Sequence, residues 1–560
     1  MQSAQQAKKI APAVRVVSIL LFSEYIKETS KNLMTDSAIY PYPIRPIADI
    51  SVDKSLAAAL LTSIADHRQQ LRGRRIWLAC SGGRDSLALA ALCVQLYQQG
   101  QLPFLPQLLH VDHGLQADSA LWANHVVQWA KTQQLPCTVL KAQVQGRDEQ
   151  AARLARYKVM RAHINQGDVL ILAHHADDQA ETVLMRLIQG AGVKGLSAMQ
   201  PWREQSKQGR HDVLWRPWLS ITRATISHYA QRLALPYIDD PTNESGDNVR
   251  SSLRRDIMPV LATYNSNVID NIARSAQLLS DAQATVAERA EQDRQGTIVE
   301  SLCYGAAQQV LAIDPLQTLP LHRQRQLLHH WLSQYEPLPP SKQLVDDVYA
   351  LTQRPDNDHK TELNWYASHQ TYRISRYRQQ LYRLSYDFLS WLTLPVTEQH
   401  HSLKAGTADS RLMTVTVRAS AHYKWQLQID RQKIDQDIQP AVCDENYDIY
   451  LKIAPLERQQ KIQTVSMGRA QAGKKLYQTL GIPIWLRESV VVLSILSKPQ
   501  EPDDGAVLTK KSAVNFLLLS PFASWVLIDS HELTSAIDPQ LLTAAISQAL
   551  QVNDNVDSRS

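Results

Sequence analysis

The hydrophobic pattern changes near Ser55, where short apolar segments begin to alternate with longer segments whose apolar residues recur at helical spacing. The short segments, each flanked by Gly, Asp or His, are residues 75–80, 106–111, 137–141 and 169–173. Strands that alternate with helices are typical of βαβ units, which form a parallel sheet and bind ligands at the carboxyl ends of its strands. The pattern therefore predicts an α/β fold, with a Rossmann-like parallel-sheet domain over residues 51–264.

A different pattern follows this domain. Apolar residues at helical spacing predict helices over residues 269–294, 321–332 and 341–351, and residues 365–384 are rich in amino acids that favour strands. We therefore predict a mainly helical middle domain and a small α+β C-terminal domain, over residues 265–385 and 411–535. The remaining segments are predicted to be a disordered N-terminal extension, a linker and a C-terminal tail, over residues 1–50, 386–410 and 536–560.

The composition is that of a globular enzyme: 560 residues, 44% hydrophobic and 20% charged, with a formal net charge of +5. The five cysteines form no CxxC pair, which argues against a disulfide framework, a structural zinc site or an iron–sulfur cluster and favours the reducing cytoplasm. No apolar run approaches the roughly 20 residues that span a bilayer, so we expect no membrane partner. The mild positive charge permits a polyanionic partner without requiring one.

A candidate phosphate-binding loop joins the first apolar segment to the next helical segment. It reads Ser81-Gly82-Gly83-Arg84-Asp85-Ser86. Glycines let the backbone approach phosphate oxygens closely, amides at the start of the helix donate to the anion, and the two serines add hydroxyl donors. Asp85 beside phosphate is best explained by a Mg²⁺ ion between them. The loop has neither the Gly-Lys-Ser/Thr ending of a Walker A loop nor a GxGxxG spacing, and a capped tight turn is the alternative interpretation.

Five further polar clusters follow the loop. Each alone has a purely structural explanation, such as a strand end, a turn or a helix cap, so their common order and spacing carry the functional signal. They read Leu109-His110-Val111-Asp112-His113-Gly114-Leu115, Gly146-Arg147-Asp148-Glu149-Gln150-Ala151-Ala152-Arg153, Leu172-Ala173-His174-His175-Ala176-Asp177-Asp178-Gln179-Ala180-Glu181-Thr182, Arg216-Pro217-Trp218-Leu219 and Asp239-Asp240-Pro241-Thr242-Asn243.

The loop resembles that of the PP-loop ATP pyrophosphatases, and the order of all six clusters over residues 72–261 resembles the tRNA(Ile)-lysidine synthetases within that superfamily. A further similarity is carried by Val465-Ser466-Met467-Gly468-Arg469, Gly473-Lys474-Lys475-Leu476 and Trp485-Leu486-Arg487. The chain departs from the family where the usual Arg-Asn pair is Arg250-Ser251, and it has insertions relative to compact members near residues 295–310, 386–450 and 498–512.

The resemblance implies a cytoplasmic carbon–nitrogen ligase that uses ATP and Mg²⁺ to attach L-lysine to carbon 2 of the wobble cytidine in isoleucine tRNA with the anticodon CAU. The 2-oxo oxygen of that cytidine attacks the α-phosphate of ATP and releases pyrophosphate. The ε-amine of lysine then displaces AMP, which gives lysidine and changes codon reading from AUG to AUA. The family also admits a homodimer.

The same resemblance implies roles for individual residues. The ATP-binding candidates are Ser81, Gly82, Gly83, Arg84, Asp85, Ser86, His110 and His174. The catalytic candidates are Asp85, Asp177 and Asp178, with the metal held by Asp85 and Asp177, or by Asp178 in place of Asp177. The group that takes the proton from the lysine ammonium stays open among Asp177, Asp178, His110 and His174. The substrate and tRNA candidates are Arg153, Arg223, Asp240, Asn243, Arg250, Arg254, Arg469, Lys474 and Lys475.

Three alternatives compete with this interpretation. A tRNA 2-thiolase of the same fold would rely on reactive cysteines, often a CxxC set, which this chain lacks. A synthetase that makes GMP or NAD with ammonia is a second alternative, but no glutaminase domain with a cysteine nucleophile is recognisable. A non-catalytic tRNA-binding protein is the third, and the intact carboxylates at Asp85, Asp177 and Asp178 argue against it.

Overall fold

The structure is a computed structural model that describes residues 42–47, 51–112, 114, 119–144, 149–207, 210–238, 249–302, 308–355, 361–403, 411–433, 447–499, 513–528 and 544–552. The chain divides into two compact units, residues 1–285 and 286–560. Over the described ranges, none of the helices combines the length and the apolar character that crossing a membrane requires.

Helices and strands alternate along the first unit, as the hydrophobic pattern predicts. Its helices are α1 Lys54–Asp66, α2 Arg68–Leu71, α3 Arg84–Gln98, α4 Ser119–Thr132, α5 Glu149–His163, α6 Ala176–Ile188, α7 Val193–Leu196, α8 Arg223–Arg232, α9 Val249–Ser252, α10 Met258–Tyr264 and α11 Val268–Gln295, with a π-helical turn at Leu253–Ile257. Its strands are β1 Ile76–Ala79, β2 Gln107–Asp112, β3 Cys137–Lys141, β4 Val169–Ile171, β5 Trp202–Lys207 and β6 Arg210–Trp215.

The six strands form one sheet in the order β3-β2-β1-β4-β6-β5. All neighbouring pairs are parallel except β5 with β6. The chain passes from β1 to β2 and β3 on one side and then returns to β4 on the other side of β1, so the strand order reverses between β1 and β4. In open α/β sheets ligands bind at the carboxyl ends of the strands at such a reversal.

Helices cover both faces of this sheet. Leu78 belongs to the same buried cluster as α3, of which residues 86–96 are all buried, whereas Trp77 clusters with Met160 of α5 and Leu170 of β4. Burial on both faces explains why these strands read as continuous apolar runs rather than as alternating patterns. The predicted α/β class and the four predicted strands are confirmed, with strand ends that differ by at most two residues. The polar pair β5 and β6 was not predicted, because its sequence lacks an apolar run.

The second unit is built around antiparallel sheets. Its strands are β7 Gln309–Ala312, β8 Glu362–Tyr366, β9 Thr371–Tyr377, β10 Gln380–Ser385, β11 Gln399–Ser402, β12 Leu412–Ala419, β13 Tyr423–Asp430, β14 Tyr447–Pro455, β15 Val491–Pro499, β16 Ala513–Ser520, β17 Ala523–Val526 and β18 Ile546–Val552. Its helices are α12 Ile313–Gln317, α13 Leu321–Ser333, α14 Lys342–Thr352, α15 Tyr386–Leu392 and α16 Gly473–Leu480, with 3-10 turns at Glu300–Leu302 and Ile484–Ser489. The sheet orders are β7-β10-β9-β8, β11-β14-β15-β16-β17 and β12-β13-β18.

Arginines from strands cap the carboxyl ends of helices in this unit. Arg383 is fully buried and donates to the carbonyls of Trp331 (2.6 Å) and Leu332 (3.0 Å) at the end of α13. In the same way, Arg376 donates to carbonyls at the end of α14, and Arg418 donates to carbonyls at the end of α15. The last carbonyls of a helix have no partner within it and carry its negative dipole end, so a buried guanidinium satisfies both needs.

Two predicted segments differ from the structure. The predicted linker at 386–410 is wrong for its described part, because α15 and β11 lie there and Phe388 and Trp391 are buried in the core of the second unit. The predicted tail at 536–560 contains β18, which pairs with β13.

The boundary between the two units falls at residue 285, inside α11, rather than at residue 264. Nearly all of the predicted N-terminal extension lies outside the described residues.

Candidate active site

A cleft of about 370 Å³ opens at the carboxyl ends of β1 and β4, where the strand order reverses. The cleft is lined by residues of the phosphate-loop candidate, of the ends of β2 and β4, and of helices α4, α5 and α6. The polar residues that line it are Ser81, Arg84, Asp85, Ser86, His110, Asp112, Ser119, Trp122, Arg153, Arg156, Tyr157, His174, Asp178 and Arg223. Topology thus brings together clusters that are far apart in the sequence.

Gly82 shapes the phosphate loop through its backbone. Its φ of +86° lies in the left-handed region, and a Cβ added there would meet Ile238 Cδ1 at 2.7 Å and Val126 Cγ2 at 2.8 Å. The Ile238 amide donates to the Gly82 carbonyl at 2.9 Å. Glycine is required both by conformation and by close packing. Of these two predicted ATP-binding residues, Gly82 packs against Ile238 and Val126, whereas Gly83 lines the cleft.

The serines and Arg84 hold the loop in shape. Ser81 Oγ accepts a hydrogen bond from the Gly83 amide at 3.2 Å and lies 3.3 Å from Ser86 Oγ. The Ser86 hydroxyl in turn donates to the Gly83 carbonyl at 3.0 Å. The Arg84 guanidinium lies 5.0 Å from the centre of the Tyr237 ring. Gly83 is the N-cap residue of α3, makes no side-chain cap and lines the cleft, and a helix N-terminus of this kind is suited to bind an anion.

His175 lies among three carboxylates. Its Nε2 is 3.6 Å from Asp85 Oδ2 and 3.6 Å from Asp178 Oδ2, and its Nδ1 is 3.6 Å from Asp177 Oδ2. It also caps α6, since its Nδ1 accepts from the Asp178 amide at 3.4 Å, while its own amide donates to Asp178 Oδ2 at 3.2 Å. Burial alone would lower the pKa of His175, but hydrogen bonding to Asp85 and the surrounding negative charges raise it. The carboxylates around His175 therefore stabilise its protonated form more than burial opposes it.

Asp85 remains ionised in this setting. Burial would raise the pKa of its carboxyl, but the hydrogen bond and charge of His175, together with Arg223 and Arg84, lower it. Its Oδ1 is buried without a hydrogen-bond partner among the described residues. A carboxylate oxygen of this kind fits a hard cation.

The described residues include no group of three or more His, Cys, Asp or Glu side chains that could hold a metal on their own. Mg²⁺ usually needs only one or two carboxylates and completes its shell with water and substrate phosphates. Asp85 and Asp178 both line the cleft and fit that arrangement. Asp177 does not line it, because its Oδ2 accepts from the Arg223 amide at 2.8 Å. Of the two adjacent aspartates, Asp178 thus lines the cleft and the predicted metal ligand Asp177 does not.

The two cleft histidines present different atoms. Arg216 Nε donates to His174 Nδ1 at 3.1 Å, so the proton of a neutral His174 ring sits on Nε2. Burial, followed by the charges of Arg216 and Arg153, holds the pKa of His174 well below its usual value. His174 is therefore a neutral ring with an N–H donor rather than a base. His110 Nδ1 donates to the Cys80 carbonyl at 2.8 Å, which orients its Nε2 as the acceptor.

The predicted tRNA residues separate into several groups. Arg153 and Arg223 line the cleft. Arg254 does not, and instead pairs with the buried carboxylate of Glu181 at 2.7 Å. Arg250 lies on α9 and is not part of the cleft lining. Asp240 and Asn243 lie outside the described residues. Arg469, Lys474 and Lys475 are exposed residues of the second unit.

Sequence reasoning missed several residues of the site. His175 and Glu181 stood within a recognised cluster, but nothing local distinguished them from their neighbours. Trp122 lines the cleft, and its buried indole N–H makes no hydrogen bond within the described residues.

The predicted residue Arg153 has its guanidinium 5.4 Å from the centre of the Tyr157 ring, an i, i+4 contact on α5 that helical spacing predicts.

Comparison with known proteins agrees with this geometry. Residues 54–261 match the PP-loop domain family, and residues 311–382 match the TilS substrate binding domain. A tRNA(Ile)-lysidine synthase from Psychrobacter sp. (strain PRwf-1) is 38% identical over 528 residues, which cover 88% of this chain and 98% of that relative. The chain belongs to the tRNA(Ile)-lysidine synthase family.

A second lysidine synthase, from Pseudomonas aeruginosa, is 40% identical over 288 residues, or 50% of this chain and 60% of that relative. A solved U34-tRNA thiolase from Methanococcus maripaludis aligns with 40% of this chain and 79% of its own at 20% identity, with a TM-score of only 0.34.

Cysteine chemistry separates a lysidine synthase from a thiolase. Burial raises the pKa of Cys80 to about 11 and those of Cys93 and Cys137 to about 12. Because the thiolate is the reactive form, we expect iodoacetamide at pH 7.5 to leave all three unlabelled in the folded protein and to label them in 6 M guanidinium. Peptide mass spectrometry measures this, and rapid native labelling of Cys80, beside the loop, would contradict the prediction.

Proposed function

We propose that this protein ligates L-lysine to carbon 2 of the wobble cytidine of isoleucine tRNA with a CAU anticodon, in the cytoplasm, by way of an adenylated cytidine. The observation that carries the proposal is the cleft at the strand-order reversal, where the Ser81–Ser86 loop faces Asp178 and His174. Membership of the lysidine synthase family supplies the substrate class.

The first step is adenylation of the cytidine. Amides at the start of α3, with Ser81 and Ser86, bind the phosphates of ATP and stabilise the charge that develops on leaving pyrophosphate. The 2-oxo oxygen of the cytidine attacks the α-phosphate, and the bond between the α- and β-phosphates breaks. Asp85 and Asp178 would hold a Mg²⁺ ion, which when bound neutralises phosphate charge.

The second step needs a base, because lysine arrives as an ammonium with a pKa of about 10.4. Three of the nearby groups are poorly placed for this role: His174 presents an N–H, His175 Nδ1 accepts the Asp178 amide, and Asp177 accepts the Arg223 amide. Asp178 and His110 both line the cleft, and because Asp178 is assigned to the metal, we assign the lysine proton to Nε2 of His110. The amine then attacks carbon 2 and AMP leaves with the shared oxygen.

The tRNA contacts come from basic residues in both units. Arg153 and Arg223 in the cleft are suited to the phosphates that flank the wobble nucleotide. In the second unit, the first turn of α16 carries Lys474 and Lys475 and no acidic residue, and its N-cap residue, Ala472, makes no side-chain cap. A helix N-terminus with two exposed lysines attracts phosphate through both its amides and its charge.

An assay of labelled lysine tests this function. We expect the protein, with ATP and Mg²⁺, to incorporate about one lysine per unmodified isoleucine tRNA transcript with the anticodon CAU, because both steps occur at the same cleft. The matched control is the same transcript with uridine at the wobble position, which keeps the 2-oxo oxygen but lacks the 4-amino group that distinguishes cytidine. Pyrophosphate release without lysine incorporation would overturn the ligation step alone, and the absence of both would overturn the whole proposal.

A further inference from the structure

Arg378 links the turn between β9 and β10 to the carboxyl end of α16. It has a φ of +54°, a left-handed conformation that is uncommon for a residue with a side chain. Its exposed guanidinium donates from Nη2 to the Gln478 carbonyl in the last turn of α16. It also lies 5.6 Å from the centre of the Tyr377 ring, which orients its stem. The left-handed conformation belongs to the two-residue turn between β9 and β10, and the guanidinium of Arg378 joins this turn to a separate segment of the second unit.

The contact uses the same chemistry as the arginine caps of α13, α14 and α15, where a guanidinium meets unpaired helix carbonyls. Those three arginines, Arg383, Arg376 and Arg418, are buried, so they belong to the core. Arg378 is exposed and makes its contact at the surface. Core packing therefore does not account for it.

Gly481 leaves the space that Arg378 occupies. It ends α16 with a φ of +72°, and a Cβ there would lie 2.8 Å from Arg378 Nη1 and 3.1 Å from Cζ. The segment after it also packs against the hairpin, since the Trp485 ring meets those of Tyr382 at 5.1 Å and Tyr377 at 6.3 Å. One end of α16 is therefore held on the β9–β10 hairpin, of which residues 371–382 belong to the region matched to the substrate binding domain.

We infer that Arg378 is a positioning residue for tRNA: it fixes α16 on the β9–β10 hairpin so that Lys474 and Lys475, at the other end of this eight-residue helix, are presented to the tRNA in one orientation. This inference rests on the tRNA contact proposed above for α16. If α16 could change its orientation, its two lysines would occupy many positions. Phosphate contacts fix the register of a nucleic acid on a protein only when the basic side chains are held in place. The chemistry at the PP-loop cleft does not require the contact.

The test compares Arg378→Ala with Arg325→Ala, which removes the same charge from an exposed arginine on α13. For Arg378→Ala we expect the KM for tRNA to rise about fivefold, with kcat and the KM for ATP within twofold of wild type. Hydrogen exchange at residues 476–482 should also rise, a readout that does not depend on tRNA. Arg325→Ala should change none of these quantities.

Gly481→Asn is a second variant that removes no charge. Asparagine tolerates the left-handed conformation, but its Cβ displaces the Arg378 guanidinium, so its effect on the KM for tRNA should resemble that of Arg378→Ala. Because both act through one contact, the double variant should be no worse than Arg378→Ala alone. Unchanged hydrogen exchange in Arg378→Ala, faster exchange without a change in the KM for tRNA, or additive effects in the double variant would each overturn the inference. Failure of wild-type protein to incorporate lysine would instead overturn the proposed function, and the exchange and tRNA-binding measurements would still decide the role of Arg378.

Discussion

Replacement of Asp85 by asparagine should slow ATP-dependent pyrophosphate release by about 100-fold or more. The substitution keeps the shape of the side chain but removes the charge that pairs with His175 and leaves Oδ1 as an amide atom that binds a cation poorly. We also expect the Mg²⁺ concentration for half-maximal nucleotide binding to rise. Pyrophosphate release from the tRNA substrate and magnesium-dependent binding of a non-hydrolysable ATP analogue measure the two effects.

Asp112→Asn provides the matched control. Asp112 also lines the cleft, but its Oδ1 accepts from the Gly114 amide at 3.0 Å, and the asparagine amide oxygen can accept the same bond. We expect its pyrophosphate release to stay within about twofold of wild type, since no charge-dependent contact is lost. Equal losses in both variants would show a general sensitivity of the cleft to charge, and normal release by Asp85→Asn would exclude the metal role of Asp85.

Gly82→Ala should destabilise the first unit by about 2–5 kcal/mol and abolish measurable ATP binding. A left-handed alanine costs about 1–2 kcal/mol, and overpacking of a tight core costs about 1–3 kcal/mol more. The second cost arises because the new Cβ lies under 3 Å from both Ile238 and Val126. Relief of this clash moves the loop that binds the phosphates. Urea denaturation gives the change in the free energy of unfolding, and calorimetric titration gives the ATP affinity.

Gly73→Ala separates the two costs. Gly73 has a similar φ of +74°, but a Cβ there meets nothing within 4 Å, so only the conformational cost of about 1–2 kcal/mol applies and ATP binding should persist. Combining Gly82→Ala with Ile238→Val removes the closer clashing atom and should restore part of the lost stability. Equal losses for the two glycine variants would mean that close packing of Gly82 against Ile238 has no energetic importance.

Much of the catalytic half was predictable because its signals are local. A strand that is buried on both faces must be apolar throughout, so β1 to β4 stand out in the sequence, and the loop between β1 and α3 follows from its glycines and serines. The long helix α11 was located within one residue at each end by its periodicity. The second unit was predicted less well: α15, β11 and β18 were interpreted as linker and tail, because they are short and gain their stability from contacts with distant strands.

The sequence by itself determined the α/β class and the phosphate loop, since these depend on residue types at short, fixed spacings, and its resemblance to the lysidine synthetases implied the reaction. Only the tertiary structure decided which carboxylate faces the cleft. Asp177 and Asp178 are adjacent in the chain, yet one turns to the Arg223 amide and the other to the cleft, because successive side chains of a helix point about 100° apart. It likewise decided that His175 joins Asp85 and that Arg378 caps α16. Contacts between segments so far apart leave no periodicity or spacing in the sequence, so only the folded chain reveals them.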